Sequence, residues 1–377
     1  MKVLAYTDSE IFSGAEMVLC DLVRGLSQRS SIDLEIAAPA SNIALTQALC
    51  RAGDGMSPID VKAQPLPLAA VHLFDPRRRH RLGQALKGLE PDVLLVNLPS
   101  AEYGGLPLRR RMTGAKTLGL LHVPGSPRAL GFRLGAIRER LARHVLANLD
   151  SVGVLSESAI EIYRHHWDNG ATAIHHLRLP RPKVEVWDRV EARRSLGLSN
   201  APLIGIAGRL SFKQKGHDTF VEAAEILVRG QPELRFAVAG EGRDRSRLER
   251  LLEDRGLRQQ FDLLGHVTPI ERFFAAVDVI AIPSRFEGLP VIALEALEVG
   301  TPGVAASTDG LRDVWPLEWQ VPADDARQLA AALKRMLDAT TSERSEMIAE
   351  GRRRMEAATG ADLAAQVEPL ILSLAHV

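Results

Sequence analysis

Short apolar runs alternate with longer amphipathic segments along most of this 377-residue chain. Such alternation predicts parallel β-sheets covered by α-helices, because parallel neighbours in a sheet are joined by crossover segments that are usually helical. In the first half, helical patterns at 15–29 and 134–147 fall between runs that are typical of buried strands. Those strand-like runs are 2–6, 33–38, 92–96, 117–121 and 151–155.

The alternation resumes after residue 200, so the chain contains two series of strand–helix units. A chain of this length is long for a single core and suits two domains. We therefore predict an α/β protein with two Rossmann-like domains. The strand-like runs of the second series lie at 202–207, 234–239, 261–264, 277–282 and 302–306. The helical patterns that separate them lie at 217–229, 244–255, 290–299 and 325–338.

The break between the two series falls near residues 178–200. Pro180 and Pro182 lie in a charged stretch there, and a Ser-Asn-Ala-Pro sequence ends at Pro202, directly before the next strand. This composition is typical of a domain boundary. The prediction is an N-terminal domain over 1–180, a linker over 181–200, a second domain over 201–355 and a C-terminal helix within 356–377.

Composition excludes several classes of protein. Lys plus Arg and Asp plus Glu both number 47, and this zero net charge argues against nucleic-acid binding. Cys20 and Cys50 form no disulfide framework or zinc motif, so a reducing cytoplasm is expected. The first residues look like a buried strand rather than a signal peptide. No apolar run approaches the roughly 18 residues that a membrane span needs.

Residues 284–296 place two carboxylates, Glu287 and Glu295, eight positions apart around Gly288, Leu289 and Pro290. Pro is favoured at the first helical position because its missing N–H would be unpaired there. The free N–H groups of a first helical turn bind anions, most often phosphate. Because a carboxylate repels phosphate, the two glutamates are expected to hold hydroxyl groups. An anion flanked by hydroxyl-rich groups describes a sugar nucleotide.

A second group of charges follows the strand at 202–207. Arg209 comes directly after Gly208, and Lys215 follows six residues later, before the next helical pattern. The intervening residues are expected to form a short polar loop. Ligands of parallel sheets bind beyond the carboxyl ends of the strands, so both cations are placed to meet a diphosphate.

These motifs, spread over about residues 202–306, resemble glycosyltransferase family 4, whose members are retaining enzymes with the GT-B fold. The resemblance implies two Rossmann-like domains with parallel sheets that face each other across a cleft. It also implies that the last helix crosses back to the first domain. Catalysis would need no metal or other cofactor. UDP is favoured as the carrier of the donor sugar, and GDP stays open.

Residue roles follow from the resemblance by matching positions. Glu295 would bind the ribose hydroxyls and Glu287 the donor sugar. Backbone N–H groups of Gly288 and Leu289 would help to hold the phosphates and sugar. The backbone at Val267 would read the base, whereas His266 is expected to face solvent.

The first domain offers fewer candidates. Gly14 resembles a glycine of the family that lets backbone approach the donor, and Glu16 is interpreted as a first-turn carboxylate that complements the helix dipole. His122 follows a strand where the family has a histidine near the donor sugar. It is expected to accept or donate a hydrogen bond to a sugar hydroxyl or to assist the acceptor. Asn97 is a weaker candidate for an acceptor contact.

Four further features are interpreted as structural or as departures from the family. Asp278 matches a family position and is read as structural, and the glycines at 240 and 242 fit a tight strand–helix turn. Residues 175–180 lack the family's Asn-Gly-Val-Asp turn. Residues 309–314 replace its glycine-rich loop. These departures leave the acceptor open.

The predicted activity is transfer of a hexose-type sugar from a nucleotide diphosphate sugar to a hydroxyl of a small-molecule, lipid-linked or glycan acceptor. A front-face displacement is favoured, with the departing phosphate helping to deprotonate the acceptor. The alternatives are a sugar-nucleotide epimerase or hydrolase on the same fold and a non-catalytic binding protein. A Rossmann dehydrogenase is disfavoured because no Gly-x-Gly-x-x-Gly follows the first strand.

Arginine clusters at 77–81 and 109–111 raise the question of a membrane surface. Residues 1–178 hold 21 Lys and Arg against 17 Asp and Glu, an excess of about four positive charges. Basic amphipathic faces bind anionic lipid. Aromatic anchors are few, so solvated helix faces are the favoured interpretation.

Overall fold

The computed structural model of the chain describes residues 1–9, 12, 14–61, 88–98, 114–128, 130–131, 134–147, 149–167 and 170–375. The chain divides into two compact units, one of Met1–Pro180 with Gly360–Val377 and the other of Arg181–Thr359. Among the described residues, no helix combines the length and the apolar character that crossing a bilayer requires.

The first unit is built on seven described strands, all parallel, in the order β3-β2-β1-β4-β5-β6-β7. They are β1 Lys2–Tyr6, β2 Asp33–Ala38, β3 Ile59–Asp60, β4 Val93–Leu98, β5 Lys116–Leu121, β6 Ser151–Val154 and β7 Ala173–His176. Its helices include α1 Gly14–Ser27, α2 Ile43–Ala52, α3 Gly135–Leu146 and α4 Glu157–Trp167. Central strands such as β4 are buried along their whole length, which explains their continuous apolar sequence.

The second unit contains six parallel strands in the order β10-β9-β8-β11-β12-β13. They are β8 Leu203–Ala207, β9 Arg235–Ala239, β10 Phe261–Gly265, β11 Val279–Ile282, β12 Gly303–Ala306 and β13 Gln320–Val321. Its helices are α5 Arg189–Leu196, α6 Phe212–Lys215, α7 His217–Val228, α8 Arg245–Asp254, α9 Glu271–Ala276, α10 Val291–Val299, α11 Asp309–Val314, α12 Ala326–Asp338 and α13 Thr341–Ala358. Phe220, Phe236 and Phe261 pack in its core with ring centroids 4.9–5.9 Å apart.

Both sheets reverse their strand order beside the first strand of the unit, between β1 and β4 and between β8 and β11. Open α/β sheets bind ligands at the carboxyl ends of the strands where such a reversal occurs, because the connecting segments diverge there. The residues after β8 and β11 include all four of the predicted charged donor-site residues. A ligand site is therefore expected at this point of each unit.

The stretch predicted as a linker, 181–200, contains helix α5 and is packed into the second unit. The buried Arg193 donates to the Asp278 carboxylate at 2.9 Å and to the Ala276 carbonyl at 2.8 Å. Asp278 also accepts a bond from the Leu203 backbone N–H at 2.8 Å. These contacts tie α5 to the start of β8 and support the structural interpretation of Asp278.

Helix α13 continues to Ala358, and the C-terminal helix predicted within 356–377 follows it. The last helix, α14, spans Leu363–Ala375 and packs on α1 of the first unit. A Cβ on Gly25 of α1 would lie 2.4 Å from the Cβ of Ala364, so a glycine is needed for this close approach. Arg29 adds an ion pair to Asp362 at 2.6 Å.

Candidate functional site at the carboxyl edge of the second sheet

Glycines close the ends of β8 and β9 and bring their backbones together. Gly208 has a φ of 132° and Gly240 a φ of 147°, a region that other residues rarely adopt. A Cβ on Gly240 would lie 1.9 Å from the Gly208 carbonyl oxygen. This close approach supports the interpretation of Gly240 as a tight-turn residue. Because both residues are glycines, no side chain projects from these positions.

The loop predicted after Gly208 is in fact a helical turn, α6, which carries Lys215 at its end. The Lys215 N–H donates to the Ser211 carbonyl at 2.7 Å, and Gly216 closes the turn in a left-handed conformation with a φ of 65°. The Lys215 side chain then passes over Gly208, where an added Cβ would lie 3.5 Å from the lysine Cε. The turn therefore fixes the position of the ammonium group.

Lys215 and Glu287 form an ion pair that joins the end of β8 to the end of β11. Lys215 Nζ donates to Glu287 Oε1 at 2.5 Å, and the two side chains are 17% and 6% exposed. A pair so poorly hydrated depends on both partners, because either charge alone would be left in a medium of low dielectric constant. Two of the predicted donor-site residues are thus in direct contact.

Arg209 directly follows Gly208 at the end of β8 and forms no ion pair with a carboxylate in the described ranges. Its Nη2 donates to the Gln214 side chain of α6 at 2.9 Å. Because Gln214 is neutral, this bond leaves the guanidinium charge uncompensated. A cation in this state next to Lys215 is suited to bind an anion.

The segment before α10 packs tightly against α11. Gly288, Leu289 and Pro290 are buried, and a Cβ on Gly310 would lie 1.8 Å from the Gly288 carbonyl oxygen. Pro290 is the residue that caps α10, so the helix begins at Val291, one residue later than the prediction. Tight packing holds the backbone of the Glu287 segment in one conformation.

Glu295 lies on α10, is half-buried and has no hydrogen-bonding partner in the described part of the chain. Burial, with a smaller contribution from the negative charge of Glu271, raises the pKa of Glu295 to about 7. A carboxylate in this state is stabilised when it accepts hydrogen bonds from hydroxyl groups. Glu295 is therefore available to a ligand, in contrast to Glu287, which already has Lys215.

Val267 is buried shortly after β10, and His266 is exposed and shares a hydrogen bond with Thr268 at 2.9 Å. The exposure of His266 agrees with the expectation that it faces solvent. The predicted role of Val267 in reading a base stays a prediction.

Sequence reasoning missed Arg285 as an organiser of this edge. Its guanidinium pairs with Asp218 at 2.9 Å and with Asp324 at 2.6 Å, and its backbone N–H donates to the Gln214 carbonyl at 2.7 Å. These bonds fix the segment after β11 to α6 and α7. The pairing partners are 67 and 39 residues away in the chain, so no local pattern signals them.

Asp309 was also missed as a candidate. Burial raises the pKa of the Asp309 carboxyl, and the nearby charge of Glu287 adds to the effect. The neighbouring Thr308 donates its hydroxyl to the Ser284 carbonyl at 3.2 Å, which holds the start of α11 against the Glu287 segment. The signal available in the sequence was the altered loop at 309–314.

In the first unit, a neutral pair lies at the ends of β4 and β5. His122 follows β5 and is 7% exposed, and its Nε2 lies 2.7 Å from Oδ1 of the fully buried Asn97 on β4. Burial lowers the pKa of His122 to about 3. Gly14 is exposed at the start of α1, and a Cβ added there would meet no atom within 4 Å, whereas Glu16 is buried in the first helical turn.

The arginine clusters at 77–81 and 109–111 lie outside the described residues. Within the described ranges, no three His, Cys, Asp or Glu side chains are grouped to hold a metal ion. The absence of a metal from the reaction stays a prediction.

Two family models match the chain and together span most of it. Residues 12–180 match the model described as Glycosyltransferase Family 4, and residues 201–339 match the one described as Glycosyl transferases group 1. The matched ranges contain every candidate residue named above.

Curated relatives resemble parts of the chain. Alpha-D-kanosaminyltransferase of Streptomyces kanamyceticus is 28% identical over 52% of this chain and 53% of its own. The 2-deoxystreptamine N-acetyl-D-glucosaminyltransferase of Streptomyces fradiae is 36% identical over 35% and 31%. The D-inositol 3-phosphate glycosyltransferase of Xylanimonas cellulosilytica is 39% identical over 33% and 31%. The chain thus spans about half or less of the length of these relatives.

Solved structures share the fold over the whole chain. HepE of Anabaena, crystallised with UDP and glucose, matches 99% of this chain and 100% of its own with a TM-score of 0.78 and 17% identity. Sucrose-phosphate synthase of Thermosynechococcus elongatus matches 99% and 98% with a TM-score of 0.78 and 19% identity. The predicted GT-B fold is confirmed. With both family models matched along its length, the chain belongs to glycosyltransferase family 4.

Proposed function

We propose that this protein is a retaining glycosyltransferase that moves a hexose-type sugar from a nucleotide diphosphate sugar to a hydroxyl acceptor. The observation that carries the proposal is the charged group at the switch point of the second sheet. There Lys215 pairs with Glu287, while Arg209 has no counter-ion and the half-buried Glu295 has no partner among the described residues. Family membership makes a nucleotide sugar the expected ligand of that group.

The two cations would bind the diphosphate of the donor. Lys215 ends the helical turn α6 and Arg209 lies at the strand end before it, so their positive charges converge at the carboxyl edge of the sheet. As the glycosidic bond breaks, negative charge grows on the departing phosphate. Pre-positioned cations stabilise that charge more strongly in the transition state than in the ground state, which accelerates the reaction.

The two glutamates would hold the sugars on either side of the diphosphate. Glu295 would accept hydrogen bonds from the ribose hydroxyls, and its lack of a partner in the described ranges supports this role. Glu287 would contact the donor sugar through the oxygen that Lys215 does not bind. Backbone groups at Val267, Gly288 and Leu289 would contact the base, phosphates and sugar. In the first unit, Gly14 would give the donor backbone access and His122 would contact a sugar hydroxyl.

Retention of configuration is proposed to arise by front-face displacement. The acceptor hydroxyl would attack on the face from which the nucleotide diphosphate departs, and a departing phosphate oxygen would take its proton. The protein's part would be electrostatic, through Arg209 and Lys215, and no metal or other cofactor would be needed.

Names of relatives guide the choice of acceptor. Several act, by name, on 2-deoxystreptamine or D-inositol 3-phosphate, which are small cyclic polyols. A small polyhydroxylated acceptor is therefore our first choice. Lipid-linked and glycan acceptors follow, because other relatives are named for lipopolysaccharide core and phosphatidylinositol mannoside synthesis. We propose that the donor is a UDP-sugar and that the enzyme is cytoplasmic.

The first test measures thermal stabilisation by a panel of UDP and GDP sugars with EDTA present. Stabilisation by UDP-hexoses is expected, and NMR of the product with an accepted polyol should show the same anomeric configuration as the donor. Consumption of donor at an undiminished rate without any acceptor would replace the proposal with an epimerase or hydrolase. No stabilisation by any nucleotide sugar would refute it.

A further inference from the structure

Asn97 and His122 meet because of strand register. Asn97 of β4 is paired with Leu120 of β5, and residues opposite each other in a sheet point to the same face. His122 is two residues beyond Leu120, so its side chain returns to that face. The result is the 2.7 Å contact between His122 Nε2 and Asn97 Oδ1 at the carboxyl ends of β4 and β5.

The contact determines which ring nitrogen carries the proton. Burial alone lowers the pKa of His122 to about 3, so the imidazole is neutral and has a single N–H. A carbonyl-type oxygen only accepts hydrogen bonds, hence the proton must be on Nε2. Nδ1 then carries a lone pair. It has no partner in the described residues, and His122 is 7% exposed, whereas the Nδ2 of Asn97 is buried.

We propose that Asn97 is a positioning residue that holds the neutral His122 ring with Nε2–H toward Asn97, so that Nδ1 accepts a hydrogen bond from a sugar hydroxyl. The sugar contact rests on the proposed function, whereas the tautomer does not. A base this weak takes no proton from an acceptor at neutral pH. His122 therefore orients a hydroxyl and does not deprotonate one.

The same argument excludes a direct ligand contact by Asn97. Its side chain is fully buried, its Oδ1 is occupied by His122, and its Nδ2 is enclosed. An amide group enclosed in this way is retained at a cost to stability, because it gives up its bonds to water. The orientation of the His122 ring, which Asn97 fixes, is the functional benefit that would offset this cost.

The first experiment is NMR of the full chain labelled with ¹⁵N in its histidine rings. The His122 signals are assigned by their loss in a His122→Gln variant. A protonated Nε2 with a lone pair on Nδ1 is expected from about pH 6 to 9, well above the lowered pKa. Protonation on Nδ1, or a positively charged ring near neutral pH, would overturn the proposal whether or not the protein transfers sugars.

Variants at Asn97 test the positioning. Asn97→Leu removes the acceptor oxygen, and Asn97→Ser serves if that variant does not fold. Either is expected to give a mixture of the two His122 tautomers and to lower kcat/KM about tenfold, the equivalent of one hydrogen bond. Leu95→Val, on the same face of β4, is the matched control and should keep the wild-type tautomer and turnover.

Asn97→Asp separates positioning from simple packing. The carboxylate still accepts from Nε2–H but raises the pKa of His122, so activity should return at high pH and fall as Nδ1 becomes protonated. If Asn97 were purely structural, the substitution would lower activity equally at all pH values.

Donors that lack one sugar hydroxyl complete the test. With the donor that lacks the bonded hydroxyl, wild type and Asn97→Leu should turn over at equal rates. If wild type is faster than Asn97→Leu by the same factor with every donor, the Nδ1 contact is refuted.

Discussion

The carboxyl edges of the two sheets reverse their strand order in the same way, but the side chains at their strand ends differ. In the second unit, the switch point gathers Arg209, Lys215 and Glu287, which are charged groups at the ends of two strands. In the first unit, the ends of β4 and β5 carry Asn97 and His122, both neutral and bonded to each other, while the buried carboxylates Asp8 and Glu16 follow β1. Charge is suited to a diphosphate, and neutral groups of fixed geometry are suited to hydroxyls. One architecture thus presents two kinds of recognition.

The strongest test of the charged edge is Lys215→Met. The change removes a cation from the proposed diphosphate site, and turnover should fall about 10²-fold because one transition-state contact is lost. It also leaves Glu287 buried and without its cation, which should lower the free energy of unfolding by about 3 kcal/mol. The double variant Lys215→Met/Glu287→Gln should regain stability but not turnover. If the double variant recovers turnover, Lys215→Met lowers turnover only by destabilising the fold.

Arg209→Ala should lower turnover at least tenfold, roughly 1.4 kcal/mol of transition-state stabilisation, while the melting temperature stays close to wild type. Stability is spared because the side chain bonds only to Gln214 among the described residues. Arg229→Ala, on the surface at the end of α7, is the matched control for loss of an arginine. Wild-type turnover from folded Arg209→Ala protein would remove Arg209 from the site.

Donor affinity should depend on pH through Glu295, whose pKa is raised to about 7. The ionised carboxylate accepts ribose hydroxyls better than the acid, so the donor KM should rise several-fold as the pH falls from about 8 to 6. Glu295→Gln should have a high and pH-independent KM. A flat wild-type KM across this range would contradict the assignment.

The same residue predicts an effect on stability. Its folded pKa lies above the ordinary value of 4.5, so the folded state binds more protons between those values, and stability falls as the pH rises through that window. Above a pH of about 7 the charged, partly exposed carboxylate therefore destabilises the fold. Glu295→Gln should raise the free energy of unfolding by about 1–2 kcal/mol near pH 8 and by much less near pH 4, as measured by urea denaturation.

Two glycine substitutions compare the packing of the backbone at the two edges. Gly310→Ala would place a Cβ 1.8 Å from the Gly288 carbonyl oxygen and should lower the free energy of unfolding by about 1–3 kcal/mol. Gly14→Ala meets no atom within 4 Å and should leave stability unchanged or slightly increased. It should nevertheless raise the donor KM, if backbone access matters there. An unchanged KM would remove Gly14 from the donor site.

The fold was largely predictable because both sheets are parallel and buried. Strands such as β2 and β9 occur within two residues of the predicted runs, since a strand covered on both faces is a continuous apolar segment. Helix α7 was recognised by its apolar periodicity in the same way. Short peripheral elements such as β13 were missed, because two residues carry no periodic signal.

The sequence by itself determined the two strand–helix series, the family and the charged residues that are candidates for a donor site, because each is encoded in local periodicity or fixed spacing. Only the tertiary structure decided which of those residues meet and what surrounds them. Lys215 and Glu287 are 72 residues apart in the chain, and Asn97 and His122 are 25 apart. Strand order and register bring each pair together, and burial then sets the charge state of the ring and of the Glu295 carboxylate. Contacts and desolvation of this kind depend on the packed sheet and are absent from any local pattern.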